Sequence, residues 1–144
     1  MKAAATSIPV AVVDASVWVS RLVSADVHHP LSQTWLETFV GNGGQCVAPV
    51  LLLAAVAGSI SGRTREGRLG QAAMQMLLRM PALRIVHVER RLGMSAAQLA
   101  ADLGLRGADA VYVALAQQLA VPLITWDQEQ LDRTGSVISA RWPT

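Results

Sequence analysis

The stretch that decides the fold is RGADAVYVALAQQLAVPLITWDQEQL, residues 106–131. Asp109 stands at a predicted helix start. The helix that follows, at 110–120, has one apolar face at the i, i+3, i+4, i+7 spacing, formed by Tyr112, Leu115, Ala116 and Leu119. Pro122 ends this helix, and the apolar run 121–125 predicts a short buried strand. Asp127 lies two residues beyond that strand. A helix start and a strand's carboxyl end can face one crevice of an open α/β sheet, so we expect the two aspartates to approach each other.

The rest of the chain continues this alternation of short apolar runs and helical segments. Further strands are predicted at 9–13, 45–48, 83–88 and, as an edge strand, 137–139. Further helices are predicted at 16–23, 30–40, 50–60, 63–80, 95–103 and, as a helical turn, 128–133. Such alternation indicates βαβ units. The predicted fold class is therefore α/β, a three-layer α/β/α sandwich around a mainly parallel five-stranded sheet.

Domain organisation and helix boundaries follow from local signals. With no linker, internal repeat or low-complexity segment, we expect a single domain over 1–144, with its core at about 9–140 and residues 1–8 as a loose leader. Ser16 and Ser95 are expected to cap the helices that follow them, and Gly62 to break the third helix. The inward face of the fourth helix is expected to consist of Leu69, Ala73, Met76 and Leu77.

Composition excludes several classes of protein. Hydrophobic residues make up 52% of the chain and charged residues 15%, with a net charge of only +2, so bulk charge does not require a nucleic-acid partner. The charge is nevertheless uneven, with seven arginines against two glutamates between 61 and 91, and five acids against one arginine between 102 and 132. Such a basic flank beside an acidic centre suits a metal site that handles phosphate, and solvated helix faces are the alternative. The single cysteine, Cys46, excludes an intrachain disulfide. The longest apolar run, 48–60, is shorter than the roughly 20 residues that span a bilayer, so a cytoplasmic location is expected.

Three aspartates are expected at the same edge of the sheet. Asp14 ends the first strand, Asp127 follows the fourth, and Asp109 begins the helix that leads into the fourth. Each also has a purely local role open to it: Asp14 as a cap, Asp109 as a charge on the helix dipole, and Asp127 in a capping box with Gln130. If the three converge, carboxylate oxygens without cysteine or histidine partners suit a hard cation, Mg²⁺ or Mn²⁺.

Three segments together carry a family pattern: VVDASVWV at 12–19, APVLLLAAV at 48–56, and LGLRGADAVYVALAQQLAVPLITWDQEQL at 103–131. They resemble PIN domains, and among them the VapC-like toxins of toxin–antitoxin pairs. The resemblance implies a Mg²⁺- or Mn²⁺-dependent endoribonuclease that hydrolyses RNA phosphodiester bonds and is neutralised by a VapB-like antitoxin. It implies that Asp14, Asp109 and Asp127 are the catalytic metal ligands, supported by Ser16 and Thr125. It also implies a homodimer, for which the apolar helices 49–61 and 69–80 would supply a face.

One position departs from the family pattern. Ala55 stands where the family's second acidic residue, a glutamate, is expected. Its loss removes one negative charge and one candidate ligand or water-orienting base. Two hypotheses therefore remain: a nuclease with weakened activity, and a catalytically degenerate PIN domain that acts as an RNA- or protein-binding module. Natural loss and a designed substitution would give the same sequence. A dinucleotide-binding domain is disfavoured because the turn after the first strand has no G-x-G-x-x-G loop.

Candidates for RNA contact lie on both sides of the acidic centre. They are Arg63, Arg65, Arg68, Arg106 and Trp126. The alternative for the arginines is a solvated helix face, and for Trp126 it is packing or an interface.

Overall fold

The computed structural model describes residues 7–144, so most of the predicted leader, residues 1–6, lies outside the described part of the chain. The elements in chain order are β1 (Val10–Val13), α1 (Ala15–Leu22), α2 (His29–Gly41), β2 (Gln45–Pro49), α3 (Leu51–Thr64), α4 (Gly67–Leu78), β3 (Leu83–Val86), α5 (Arg90–Leu103), α6 (Gly107–Leu119), β4 (Leu123–Ile124), α7 (Gln128–Thr134) and β5 (Ala140–Arg141).

All five strands form one sheet in the order β3-β2-β1-β4-β5, and every neighbouring pair is parallel. The register places Val13 of β1 opposite Ile124 of β4. Both side chains are fully buried, as expected for central strands of β-branched residues covered on both faces. The predicted α/β fold class is confirmed, and parallel strands bring their carboxyl ends to one edge.

Two helical layers enclose the sheet. Helices α5 and α6 pack against each other, and α6 contacts β1, β2 and β4. On the other side α1 packs against α2 and α3, and the hairpin of α3 and α4 reaches the sheet through α4 and β3. Within that hairpin Gly70 lies so close to Ala57 that an added Cβ would come within 2.5 Å of the Ala57 carbonyl oxygen. A side chain at Gly70 would therefore separate the two helices.

Several predicted boundaries were wrong. Helix α3 continues through Gly62 to Thr64 and ends at Arg65, a left-handed residue with φ of 59°. Helix α5 begins at Arg90 rather than near Ser95, because the side chain of Glu89 caps it by accepting from the backbone N–H of Leu92.

The predicted inward faces were correct in part. On α4, Ala73 and Leu77 are buried, whereas Leu69 and Met76 are 41% and 51% exposed. On α6, Tyr112, Leu115 and Ala116 are buried, whereas Leu119, at the last residue of the helix, is 41% exposed. The helical period identified each face, but the neighbouring helices cover less of it than the period suggests.

The strands are shorter than predicted. The ladder of β4 contains only Leu123 and Ile124 of the predicted 121–125, and β3 ends at Val86 rather than at 88. The edge strand β5 lies at Ala140–Arg141 rather than at 137–139, since the chain turns through 135–138 before it pairs with β4. Among the helices of residues 7–144, none is long and apolar enough to cross a membrane.

Candidate active site

Asp14 follows the carboxyl end of β1 and is the N-cap of α1, so the predicted cap at Ser16 was two residues too late. Its Oδ2 accepts from the backbone N–H of Ser16 at 3.2 Å, from Ser16 Oγ at 2.7 Å and from Thr125 Oγ1 at 3.0 Å. Burial raises the pKa of Asp14, these hydrogen bonds only partly offset it, and the charge of Asp109 raises the pKa further.

Ser16 and Thr125 join the ends of β1 and β4. Ser16 Oγ accepts from the backbone N–H of Trp126 at 3.0 Å, and Thr125 Oγ1 accepts from the backbone N–H of Asp127 at 3.0 Å. The two hydroxyl oxygens are themselves 3.4 Å apart. The side chains predicted to support the acidic site therefore fix the chain from 125 to 127 against Asp14.

Asp109 and Asp127 face a common cation, the guanidinium of Arg106. Arg106 Nε lies 3.3 Å from Asp109 Oδ2, and Arg106 Nη2 lies 3.7 Å from Asp127 Oδ2. Asp109 is in the first turn of α6, and Asp127 is the N-cap of α7, where its Oδ1 accepts from the backbone of Glu129 and Gln130. A cavity of about 260 Å³ is lined by Gly104, Leu105, Arg106, Asp109, Asp127, Glu129 and Gln130.

The donor set bears on the metal that the family resemblance implies. Two carboxylates already share one positive group, and all donors in the set are oxygens, which fits a hard cation. Within residues 7–144, however, no three side chains of histidine, cysteine, aspartate or glutamate are gathered closely enough to hold one ion together. Asp109 and Asp127 therefore fit a cation as they stand, and Asp14 as a third ligand stays a prediction.

Ala55, the position at which the family resemblance predicts a glutamate, is accessible. Ala55 is exposed on α3, the helix that follows β2. Two other acids close in sequence to Asp127 remain on the surface: Glu129 pairs with Arg133 at 2.7 Å, and Asp132 accepts from Gln128 at 2.8 Å.

Two of the arginines predicted to contact RNA lie close to acidic side chains. Arg63 pairs with Asp26, in the loop between α1 and α2, at 2.7 Å, and Arg68 lies 3.9 Å from Glu66. Arg65 is the exposed left-handed residue between α3 and α4. Of the five RNA-contact candidates, Arg106 alone is placed directly on two of the aspartates by these contacts.

Trp126 packs between aromatic neighbours. Its ring stacks on His28 with centroids 4.0 Å apart and lies 6.0 Å from Trp142. Its Nε1 donates to Ser32 Oγ at 2.8 Å. The packing alternative is thus realised, and it connects the α1–α2 loop to the segment between Thr125 and Asp127.

Two buried polar residues beside the site were missed as site residues. The hydroxyl of Tyr112 has no hydrogen-bond partner within residues 7–144, and neither has either amide atom of Gln130. Burial raises the pKa of Tyr112 well above its usual range, and the charges of Asp14 and Asp109 add to this, so its hydroxyl stays protonated. The spacing of Tyr112, three residues after Asp109 on α6, is the signal that could have found it.

A parallel sheet between two helical layers, with aspartates just past the ends of its central strands β1 and β4, defines a class of α/β proteins with an acidic site at the carboxyl edge. The sequence profile of the PIN domain family matches residues 11–136. The chain belongs to the PIN domain family.

Solved structures with the same fold include VapC-type proteins. VapC20 of Mycobacterium tuberculosis, a sarcin-ricin loop cleaving toxin, superposes with a TM-score of 0.73 at 17% identity, over 85% of this chain and 93% of that one. VapBC2 of Rickettsia felis, bound to a promoter DNA fragment, gives 0.70 at 14% identity over 92% and 97%. FitAcB of Neisseria gonorrhoeae gives 0.70 at 16% identity over 92% and 97%. Such identities establish the fold alone. A comparison with curated proteins gives no match.

Proposed function

We propose that this chain is a divalent-metal-dependent endoribonuclease of the VapC type. The observation that supports the proposal is the guanidinium of Arg106, which lies 3.3 Å from Asp109 Oδ2 and 3.7 Å from Asp127 Oδ2 and so contacts both carboxylates. Membership of the PIN family supports it, as does the fold shared with VapC20, which is described as a toxin that cleaves the sarcin-ricin loop.

Each aspartate has a defined part in this proposal. Asp109 and Asp127 would hold Mg²⁺ or Mn²⁺. Asp14, which the Thr125 hydroxyl links to the backbone of Asp127, would be the third ligand. The ion would lower the pKa of a bound water and neutralise charge on the phosphodiester. Ser16 and Thr125 donate to Asp14 Oδ2, so Oδ1 would be the oxygen available to a bound ion. Arg106, whose side chain is 78% exposed, can turn from the carboxylates to an RNA phosphate.

Ala55 limits the activity that we expect. Mg²⁺ commonly keeps several waters and needs only one or two protein carboxylates, so one ion can still bind. The residue that would orient the attacking water is absent, and general-base catalysis is typically worth 10²–10⁴-fold in rate. We therefore propose weak cleavage. The exposed alanine also favours the second candidate, a PIN domain that binds RNA or protein without cutting.

The experiment measures cleavage of labelled RNA by the chain, by Ala55→Glu and by Asp127→Asn, each with Mg²⁺, Mn²⁺ or EDTA. We expect slow cleavage by the chain with either metal and none with EDTA, at least about tenfold faster cleavage by Ala55→Glu, and loss in Asp127→Asn. Cleavage by Ala55→Glu alone would show that the chain is a nuclease fold without activity of its own and would overturn the proposal of weak cleavage. Folded proteins that cleave nothing in any condition would overturn the nuclease proposal.

A small antitoxin is the proposed protein partner, acting in the cytoplasm where RNA is made. Two structural neighbours are complexes of this kind: VapBC2, and a toxin–antitoxin complex of Klebsiella pneumoniae with a TM-score of 0.67 at 16% identity. An apolar groove of about 510 Å³ between α1, α2 and α4 is lined by Trp18, Leu22, Leu36, Val40, Met76 and Met80, among others. Co-expression with the protein of an adjacent short reading frame should yield a stable complex, and Met76→Glu should disrupt it.

A homodimer is proposed from exposed apolar residues on α4. Leu69 and Leu78 are 41% and 52% exposed. Light scattering after size exclusion should give twice the monomer mass, and the double substitution Leu69→Lys with Leu78→Lys should give the monomer mass. A wild-type monomer at high protein concentration would contradict the proposal.

A further inference from the structure

Gln130 is almost fully buried, at 1% exposure, and yet its side-chain amide has no hydrogen-bond partner in the part of the chain that the structure describes. Its backbone is satisfied, since its N–H donates to Asp127 Oδ1 and its carbonyl accepts from Thr134 Oγ1. Neither Oε1 nor Nε2 has a partner among residues 7–144. A buried polar group without a partner is costly, and an apolar side chain of the same length would avoid that cost. No contact within residues 7–144 accounts for a glutamine at this position.

The capping role that the sequence suggests is also taken. In a capping box the side chain of Gln130 would accept from the backbone N–H of Asp127. That N–H instead donates to Thr125 Oγ1 at 3.0 Å. The Thr125 hydroxyl therefore leaves the amide of Gln130 available for another partner.

The position of Gln130 indicates that the partner belongs to a ligand bound at the acidic site. Gln130 lines the cavity of about 260 Å³ together with Asp109, Asp127 and Arg106. Arg106 and Glu129 line the same cavity with side chains that are 78% and 56% exposed. We expect rotation of these two surface side chains to open the cavity without moving the sheet.

The chemistry of an amide restricts the ligand further. Gln130 offers an acceptor and a donor group, and a single partner satisfies both only if it donates and accepts. A phosphate oxygen only accepts, and a metal-bound water only donates. A hydroxyl does both, and the hydroxyl next to the phosphodiester in RNA is the ribose 2′-OH, which is also what distinguishes RNA from DNA. Bases lie further from the phosphate than the ribose does.

We propose that Gln130 is a specificity-determining residue that binds the ribose 2′-hydroxyl of the nucleotide held at Asp109 and Asp127. The inference rests on the proposed function, in which RNA is the substrate. It explains by one hydrogen-bonding side chain why RNA would be preferred to DNA. It does not require that the chain cleaves what it binds.

The experiment compares binding of mixed-sequence single-stranded RNA and DNA pools by anisotropy, with Ca²⁺ present in place of Mg²⁺. The full-length wild-type chain should bind RNA about tenfold more tightly than DNA, the size of one or two lost hydrogen bonds. Gln130→Met should lose that preference through weaker RNA binding, with DNA binding unchanged. Gln128→Met is the matched control, because Gln128 is exposed on the same helix and bonds only to Asp132.

A second measurement needs no variant. The wild-type chain should bind 2′-fluoro RNA, which cannot donate from that position, as weakly as DNA. Equal binding of RNA and DNA by wild type, an unchanged preference in Gln130→Met, or 2′-fluoro RNA bound as tightly as RNA would each overturn the inference. A preference that depends on Gln130 without any cleavage would support the inference and count against the nuclease proposal.

Discussion

Thr125 Oγ1 lies 3.0 Å from Asp14 Oδ2, across the parallel pair of β1 and β4. The same oxygen accepts from the backbone of Asp127 at 3.0 Å. One buried hydroxyl therefore sets the distance between the first and last aspartates of the site. The Thr125 hydroxyl donates to Asp14 and accepts from the backbone N–H of Asp127. Valine has the same shape without the hydroxyl, so a valine at this position removes both hydrogen bonds and keeps the packing.

Thr125→Val should weaken Mn²⁺ binding by about 10–100-fold, the usual effect of removing a group that orients a metal ligand. It should also lower the free energy of unfolding by about 1–3 kcal/mol, because the backbone N–H of Asp127 loses its acceptor. Calorimetric titration and urea unfolding measure the two effects. Thr64→Val is the control, since that hydroxyl bonds only to backbone groups of Ile60 and Glu66. Equal Mn²⁺ affinity in Thr125→Val and wild type would refute the assigned role.

Asp127→Asn should abolish metal binding while preserving the fold. Asparagine can still accept from the backbone N–H groups of Glu129 and Gln130 and so cap α7, but it carries no charge. We expect at least about 100-fold weaker Mn²⁺ binding and a melting temperature close to that of wild type. Asp132→Asn, on the exposed face of α7, should bind metal normally. A similar loss in both variants would point to general charge rather than to a site.

Arg106→Gln should affect metal and RNA in opposite directions. The guanidinium and a metal ion compete for Asp109 and Asp127, and an exposed ion pair is worth about 0.2–1 kcal/mol, so its removal should tighten Mn²⁺ binding by up to about fivefold. RNA binding should weaken, because a phosphate contact is lost. Arg133→Gln is the control, because it removes the pair with Glu129 and the hydrogen bond to the Gly104 carbonyl but no contact with Asp109 or Asp127. Weaker Mn²⁺ binding in Arg106→Gln would exclude competition.

The sequence predicts the sheet better than it predicts the helix ends. Runs rich in β-branched residues, such as Val10–Val13, are buried from water only when helices cover both faces of the sheet. Local composition is therefore enough to predict that such a run is a strand. Helix ends depend on which nearby side chain reaches the first backbone N–H groups. Glu89 does so for α5, six residues before Ser95, and a cap of that kind competes with others that look equally good in sequence.

The sequence likewise predicts some features of the site and not others. The approach of Asp109 to Asp127 follows from their places at a helix start and a strand end. Arg106 was identified, but its position between both carboxylates depends on where α7 begins in space. Gln130 was interpreted only as part of a capping box, because sequence does not show that Thr125 already occupies the N–H of Asp127.

Asp26→Asn should remove a pH-dependent part of the stability. Burial opposes ionisation of Asp26, but hydrogen bonds from Arg63 and from the backbone of His28 outweigh it, so its pKa is lowered from the usual 3.8. A carboxyl with a lowered pKa stabilises the folded state above the unfolded pKa, and this contribution disappears as the pH falls through the folded pKa. The half-exposed Arg63 limits the effect to about 1 kcal/mol.

Urea unfolding at about pH 7 and about pH 3 tests this expectation. The variant should be less stable than wild type at the higher pH, and the difference should shrink at the lower one. Glu66→Gln is the control, because the contact of Glu66 with Arg68 is long and exposed. A difference between Asp26→Asn and wild type that stays constant with pH would contradict the charge-based explanation.

The exposure of Ala55 has a consequence at the level of the gene. Every alanine codon is one base change from a codon for aspartate or glutamate. Because Ala55 lies on the surface of α3, a longer acidic side chain meets no packed core there. A cell that carries this chain as a harmless protein is thus a point mutation away from an acidic side chain at this position. Under the proposed toxin function, substitutions in this codon should recur among mutants that are screened for inhibition of cell growth.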